Sequence, residues 1–469
     1  MDIQKISSQF NKEWENLSVN YFTKKTEGSI WMMNRNIAPD DPEQGWKIHI
    51  SATVLNASEI LKKTGPLLQE TGVLFKAAIS LYELQKLNCG LFYGFSQIGK
   101  FMTVYPRNIK EALFLAEKLQ LITEDYICPT VPFDNSFRGS RCIYYRYGSF
   151  SLNIKNEDGT LVSAIRDKNG NLVPDKRESG SAVPNWLEDP FLEKTQNIDV
   201  QKFPSDSYIR AYEAISQRGK GGVFLAIDLS YAPARKCILK EGRKNGEVEW
   251  DGKDGHWRIQ HEAVVLDELA KKEIKVAELY STFEAASNYY IVTEFIEGVT
   301  LQSILNKKLN IEDYLSYGYQ ISEIMYKIHE AGWVWRDCKP MNIIKSLEGC
   351  LRPIDFEGAC RADASNEIPW GTPGYVPPEW LNDNISKVPE DLYALGVTLH
   401  QLISGHIPTT GQLKPLGKCR YNVPITIRNI VSQLLNPDPT KRPSAMSVLN
   451  IFENELSKAI ETNKISMII

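Results

Sequence analysis

The chain has 469 residues, 42% of them hydrophobic and 24% charged, and carries a formal net charge of −4. Such a length exceeds one core and suits two domains of roughly 200–250 residues, while the weak negative balance gives no general reason to bind nucleic acid or an anionic membrane, so any basic site has to be local. No apolar run approaches the ~20 residues of a membrane span, and Met1 to Asn16 lacks the apolar core of a signal peptide. The eight cysteines are scattered without a Cys-x-x-Cys pair, so the expectation is a cytoplasmic protein with free thiols and no zinc.

In chain order, the first chemical pattern is Gly45-Trp-Lys-Ile-His-Ile-Ser51. Its alternation predicts a strand with Trp46, Ile48 and Ile50 toward a core and Lys47 and His49 side by side on the other face. That pair is either an exposed polar face or, in a cleft, an acid that binds anions. Other cations follow in similar surroundings: Lys76 after Gly72-Val-Leu-Phe75, Lys100 at the start of Gly99-Lys-Phe-Met-Thr-Val-Tyr-Pro106, and Arg138, Arg141 and Arg146 around Cys142-Ile-Tyr-Tyr-Arg-Tyr-Gly148. A phosphate takes two or three such groups, and arginine's forked donors suit its oxygens. From 155 to 205 the Glu157-Asp-Gly159, Lys168-Asn-Gly170 and Ser179-Gly180 steps predict hairpins and a linker rather than a core.

From Tyr208 onward strands, a helix and more strands precede a mostly helical stretch to about residue 456, the order of a small β-rich lobe and a larger helical one. Trp335-Arg-Asp-Cys-Lys-Pro-Met-Asn342 and Ile354-Asp-Phe-Glu-Gly358 bring three oxygen-bearing side chains to one place. Phosphoryl transfer needs that set: a carboxylate to orient a hydroxyl, and an Asp and an Asn to hold Mg²⁺ against the phosphates. The pattern resembles the catalytic loop and metal-binding segment of the protein kinase family. On that resemblance Asp337 orients the acceptor, Lys339 neutralises the transferred phosphoryl group, and Asn342 and Asp355 hold the metal. Lys240 reaches the phosphates of ATP or another NTP, with Glu262 as its ion-pair partner and Glu268 as the fallback. Gly221 and Val223 remain from a glycine-rich loop in which Ser216 and Arg218 replace two glycines, and Glu294 to Ile296 form the adenine-contacting hinge. Glu379 is expected to pair with Arg442, and Asp391 to anchor the catalytic loop.

Gly45-Trp-Lys-Ile-His-Ile-Ser, Phe75-Lys76, Gly99-Lys-Phe and Tyr145-Arg-Tyr-Gly, upstream of a kinase carrying Asp-Phe-Glu, resemble the class III/IV lanthipeptide synthetases. The resemblance implies an α+β chain: a phosphothreonine-lyase-like domain over 1–200, a bilobal protein-kinase-like domain over 201–460 and a tail over 461–469. It further implies that the kinase phosphorylates Ser and Thr of a ribosomal precursor peptide with a leader and a Ser/Thr/Cys-rich core. The lyase then removes the phosphate to leave dehydroalanine or dehydrobutyrine. In that scheme Lys76 is the base, His49 the acid with Lys47 beside it, and Arg138, Arg146 and Lys100 are phosphate ligands. The family's C-terminal cyclase is expected to be missing, truncated away or supplied by another protein. Two other readings are a Ser/Thr kinase with an unrelated regulatory N-terminal domain and a scaffold with a degenerate kinase.

Overall fold

A computed structural model describes residues 3–25, 28–192, 208–305, 309–364, 368–382, 387–408 and 413–466. The chain is α+β and divides into two compact units. The first holds 1–225, 240–257 and 283–290, and the second holds 226–239, 258–282 and 291–469.

The first unit is built on seven strands: β1 (Lys24–Lys25), β2 (Trp31–Met33), β3 (Gln44–Ile50), β4 (Leu74–Ala78), β5 (Met102–Tyr105), β6 (Asn135–Ser136) and β7 (Ile143–Ser149). They lie in the order β1-β2-β4-β5-β3-β7-β6, and their pairings are antiparallel. Four helices accompany them: α1 (Ile3–Ser18), α2 (Ala57–Thr71), α3 (Leu81–Cys89) and α4 (Ile109–Thr123). Trp14, Ile48, Ile50, Ile60, Leu68, Phe75, Phe101 and Leu115 share one buried cluster. Short polar caps set the helix starts: Ser80 accepts from the Glu83 amide and Asn108 from the Glu111 amide, each satisfying a donor that helix geometry leaves orphaned.

Three further strands, β8 (Asn153–Lys155), β9 (Leu161–Arg166) and β10 (Leu172–Pro174), form an antiparallel meander in the order β10-β9-β8. Its tight turns use the Asp-Gly and Asn-Gly steps seen in the sequence. The segment does more than link, because Asp175, just past β10, accepts from the Ser149 amide at 3.1 Å and so returns the chain to the end of β7.

Five strands follow: β11 (Ile209–Gln217), β12 (Gly222–Asp228), β13 (Arg235–Gly242), β14 (Leu279–Ala285) and β15 (Asn288–Glu294), in the order β11-β12-β13-β15-β14. The division between the units runs through these strands. Helix α5 (Gly255–Lys271) lies between β13 and β14 in the chain. The second unit is mainly helical, with long helices at Ile311–Glu330, Val388–Ser404, Ile425–Leu434 and Ala445–Ser466. Asn310 caps the first of these, whose opening turn carries Glu312 and Asp313 and whose last turn carries Lys327 and His329, matching the helix dipole at both ends. A Cβ on Gly318 would lie 2.1 Å from the Phe452 ring, so these helices meet where only glycine fits. The last helix continues past residue 460 to Ser466. Residues 193–207 and 467–469, which hold the end of the expected linker and of the expected tail, lie outside the described residues. Among the described residues no helix is long and apolar enough to cross a membrane.

Candidate active sites

Strand register assembles the first site. Lys76 on β4 pairs with Thr103 on β5, Thr103 pairs with His49 on β3, and Lys47 pairs with Arg146 on β7. Directly opposed residues project to the same face of a sheet, so the basic residues of β3, β4 and β7 gather on one side. They line a partly open cavity of about 30 Å³ together with Trp31, Gln97, Lys100, Tyr105 and Arg177. The polar face of β3 is therefore not exposed: Lys47 is 7% and His49 4% accessible.

Burial of so many cations shifts their titration. Lys76 falls to about 7, chiefly from burial, then from Arg177 and Lys100. Lys100 falls to about 8, burial outweighing the attraction of Asp134. Lys47 is held well below its ordinary value by burial, against the pull of Asp175. His49 is pushed down to about 3, again by burial first, although Asp134 opposes it. Burial raises Asp134, but His49 and Lys100 overcome it and keep the carboxyl below its usual value. In the free site, then, Asp134 is ionised and neutral His49 donates its Nδ1–H to Asp134 Oδ2, leaving the lone pair on Nε2.

Two carboxylates organise the cations. Asp134, with its side chain closed to solvent, also lies 3.7 Å from Lys100 Nζ. Asp175 takes Arg146 Nη2 at 2.7 Å, and the same nitrogen donates to the Lys176 carbonyl at 2.7 Å. The indole of Trp31 stands 4.2 Å from Lys76 Nζ. Lys47, His49, Lys76, Lys100 and Arg146 thus share a cavity, as the sequence led us to expect. Arg138 does not join them. It adopts φ +46°, is about a third exposed and pairs with Glu117 at 3.0 Å, so its expected place among the phosphate ligands is corrected, and Arg177 stands in the cavity instead. Sequence reasoning missed Trp31, Asp134, Asp175 and Arg177. For the last two, the signal was the pair of tight hairpins that bring Pro174-Asp-Lys-Arg177 back to β7.

The second constellation lies in the helical unit. Asp337 Oδ1 accepts from Thr372 at 2.7 Å, and Oδ2 accepts from Lys339 at 2.6 Å and Asn342 Nδ2 at 2.8 Å. Lys339 also donates to Thr372 at 2.6 Å. Asp391, fully buried, accepts from the Trp335 and Arg336 amides at 2.7 and 2.6 Å and so fixes the start of the loop. Trp335 stacks on Phe356 with centroids 5.5 Å apart, and its Nε1 donates to the Asp355 carbonyl at 3.2 Å. The indole thereby joins the catalytic loop to the metal-binding segment. Glu379 and Arg442 form a forked pair at 2.6 and 2.7 Å.

The remaining kinase residues fall in both units. In the first, Gly221 is required by close approach, since a Cβ there would lie 1.7 Å from the Glu241 carbonyl oxygen. Val223 is half-buried on β12, and Lys240 lies on the face of β13 opposite buried Cys237 and Leu239. In the second, buried Glu262 accepts from the Phe356 amide at 3.0 Å. Glu268 is engaged elsewhere, by Arg361 at 2.5 Å and Trp333 Nε1 at 3.2 Å. The Glu294 carboxylate is forked to Arg352 at 2.5 and 2.6 Å, so any contact it makes with a base is through its backbone; Ile296 is buried two residues on. The oxygen chemistry suits Mg²⁺: with its amide nitrogen engaged by Asp337, Asn342 would offer its amide oxygen, a hard ligand like a carboxylate oxygen of Asp355.

Comparison with known proteins gives two family matches: "RamC, N-terminal domain" over residues 14–202 and "Protein kinase domain" over 212–451. The chain is 26% identical over 375 residues to the probable SapB synthase of Streptomyces coelicolor, covering 76% of this chain and 39% of that protein. It is 28% identical over 324 residues to human cGMP-dependent protein kinase 2, covering 63% and 40%. Serine/threonine-protein kinase F of Synechocystis is 28% identical over 265 residues, covering 51% and 53%. The chain thus spans only 39–53% of the length of these relatives. A RamC-type domain ahead of a kinase, with similarity to a SapB synthase, fits a distant relationship to lanthipeptide synthetases. The kinase match extends over more than half the chain and contains Lys240, Asp337, Asn342 and Asp355, and the chain belongs to the protein kinase family.

Proposed function

We propose that the chain is a two-step peptide dehydratase of the lanthipeptide type. In the first step the kinase transfers the γ-phosphoryl group of ATP to a Ser or Thr hydroxyl of a precursor peptide. Asp337 orients that hydroxyl and Lys339 balances charge on the phosphoryl group; Asn342 and Asp355 would hold Mg²⁺, which would supply charge to offset that of the phosphates. In the second step the neutral Lys76 amine takes the Cα proton. The electron pair forms the Cα–Cβ double bond, the Cβ–O bond breaks, and phosphate leaves with a proton on its departing oxygen. Ser gives dehydroalanine and Thr gives dehydrobutyrine.

The observation that carries this reading is the shared cavity of Lys47, His49, Lys76, Lys100 and Arg146, with Lys76 brought to about 7. A lysine serves as a base near neutral pH only when its ammonium form is destabilised, and the surrounding cations do that until a dianionic phosphate arrives. The same dianion favours protonation of His49 at Nε2, with Asp134 holding Nδ1, and readies it to donate to the leaving oxygen. Joining the two activities keeps the phosphopeptide near the second site at an effective concentration of about millimolar. The eight free cysteines fit work in a reducing cytoplasm.

The test uses the full chain with ATP, Mg²⁺ and a Ser/Thr-rich precursor. The parent yields peptide lighter by one water per processed residue, and Lys76→Ala yields stable phosphopeptide. Dehydration by Lys76→Ala at the parent's rate sinks the assignment, and stable phosphopeptide from the parent itself favours a kinase with a regulatory N-terminal domain.

A further inference from the structure

The glycine-rich turn between β11 and β12 is bonded to α3. The Gly219 amide donates to the Cys89 carbonyl at 3.0 Å, and a Cβ on Gly219 would lie 1.7 Å from the Asn88 carbonyl oxygen. Backbone meets backbone here at a distance no side chain permits. One turn earlier on α3, Gln85 accepts from Trp250 Nε1 at 3.2 Å and donates to Glu249 at 2.6 Å. The Trp250 ring packs against Phe10 and Tyr82, with centroids 6.2 and 5.8 Å away. The segment that carries Trp250 is itself tied to the turn, since Arg243 donates its amide to the Lys220 carbonyl at 2.8 Å and Nη1 to the Arg218 carbonyl at 2.9 Å. One short helix therefore grips the turn directly and through its neighbour.

Asn88 extends the connection inward. Its side chain is buried and bonded through both groups: Nδ2 donates to the Ala52 carbonyl at 2.9 Å, and Oδ1 accepts from the Gly99 amide at 3.1 Å. Ala52 lies three residues beyond His49, and Gly99 immediately precedes Lys100. A shift of the turn that moves α3 must then move the end of β3 that presents His49 and the loop before β5 that presents Lys100, or break one of two buried hydrogen bonds.

From these contacts we infer that α3 positions the kinase's glycine-rich turn, and that Asn88 couples the turn to the cationic cavity. The positioning role rests on the kinase assignment alone; the coupling rests on the lyase reading as well. Coupling of binding is reciprocal: nucleotide held by the turn alters the cavity's hold on phosphate, and phosphate alters the hold on nucleotide.

Gly219→Ala and Trp250→Ala, made separately in the full chain, test both parts. Phosphorylation kinetics with a Ser/Thr peptide should show KM for ATP raised roughly fivefold or more in each variant, with KM for the peptide unchanged, a split that general destabilisation does not give. Elimination from a synthetic phosphoserine peptide, which needs no ATP, should change by at least about threefold when ADP is added to the parent, and the change should vanish in both variants. A parental KM for ATP in both variants overturns the positioning role. A parent whose elimination is indifferent to ADP overturns the coupling. A parent that eliminates nothing removes the lyase reading and the coupling with it, while the ATP measurement still decides the positioning role.

Discussion

Lys76 and His49 each stand directly opposite Thr103, on the two strands that flank it. Their backbones are thus two interstrand spacings apart, roughly 10 Å, and their side chains reach the same cavity from either side. Elimination from a phosphoester asks for this arrangement, a base at the Cα proton and an acid at the ester oxygen. The environments of the two residues differ accordingly, with Trp31 and cations around Lys76 and a buried carboxylate on His49.

The first prediction concerns pH. Lys76 must be neutral to act as a base, and its amine titrates at about 7. His49, at about 3 in the free site, must gain the proton that Lys76 loses, so kcat/KM for elimination should hold level below about 7, where the free site keeps that proton on Lys76, and fall tenfold per pH unit above it. Arg177 is the largest charged contributor to the lowering, so Arg177→Ala should move this limb upward. A pH profile of elimination from a phosphoserine peptide, parent against variant, reads both, and a limb that stays put removes Arg177 from the account.

Asp134→Asn keeps the shape of the side chain and removes its charge. His49 then loses the anion that fixes its tautomer, and Lys100 loses the attraction that opposes its burial. The expected result is a fall in kcat for elimination of about 10–100-fold, with phosphorylation unaffected. The Lys100 ammonium should also titrate lower than in the parent, a change that NMR of the lysine Nζ resonances follows.

Much of this was legible in the sequence because local rules and the tertiary outcome agree. The alternation of Trp46, Ile48 and Ile50 with Lys47 and His49 fixes both the strand and its two faces, and the spacing of Asp337, Asn342 and Asp355 fixes a loop and a strand end. Partners that depend on long-range closure were not legible. Asp134 lies in an irregular stretch with no periodicity, and it reaches His49 across 85 positions of chain. Asp175 and Arg177 sit past two hairpins whose turns read as surface, and only the fold back onto β7 makes them part of the site. Arg138 failed for the converse reason: its nearness in sequence to Arg146 said nothing about direction, and its positive φ turns it toward Glu117.

On the proposed two-step scheme, the kinase constellation lets the two activities be tested apart. Asp337 organises Thr372, Lys339 and Asn342 through both carboxylate oxygens. Asp337→Asn should therefore lower phosphorylation by about 10²–10⁴-fold. Elimination from a preformed phosphopeptide should stay at the parental rate. Assaying the two steps with separate substrates checks this, and loss of both together would contradict the division of labour.

The last prediction sets function against stability. Lys47 is buried and its ammonium is held well below its ordinary value, so folding has to strip or confine that charge at any pH below about 10.4. For a group whose folded value is depressed in this way, the unfolded chain binds more protons, and the native state loses stability as pH falls. Lys47→Met fills the same volume without a charge and leaves Arg146 paired with Asp175. It should stabilise the N-terminal domain by about 1–4 kcal/mol, by analogy with replacing buried ionic groups by apolar ones, and the gain should shrink as pH rises toward the lysine's unfolded value. Elimination should be lost at the same time, since the cavity gives up a phosphate ligand. Thermal unfolding across a pH series, paired with the elimination assay, measures both; a variant no more stable than the parent at neutral pH would show that Lys47 is accommodated without strain.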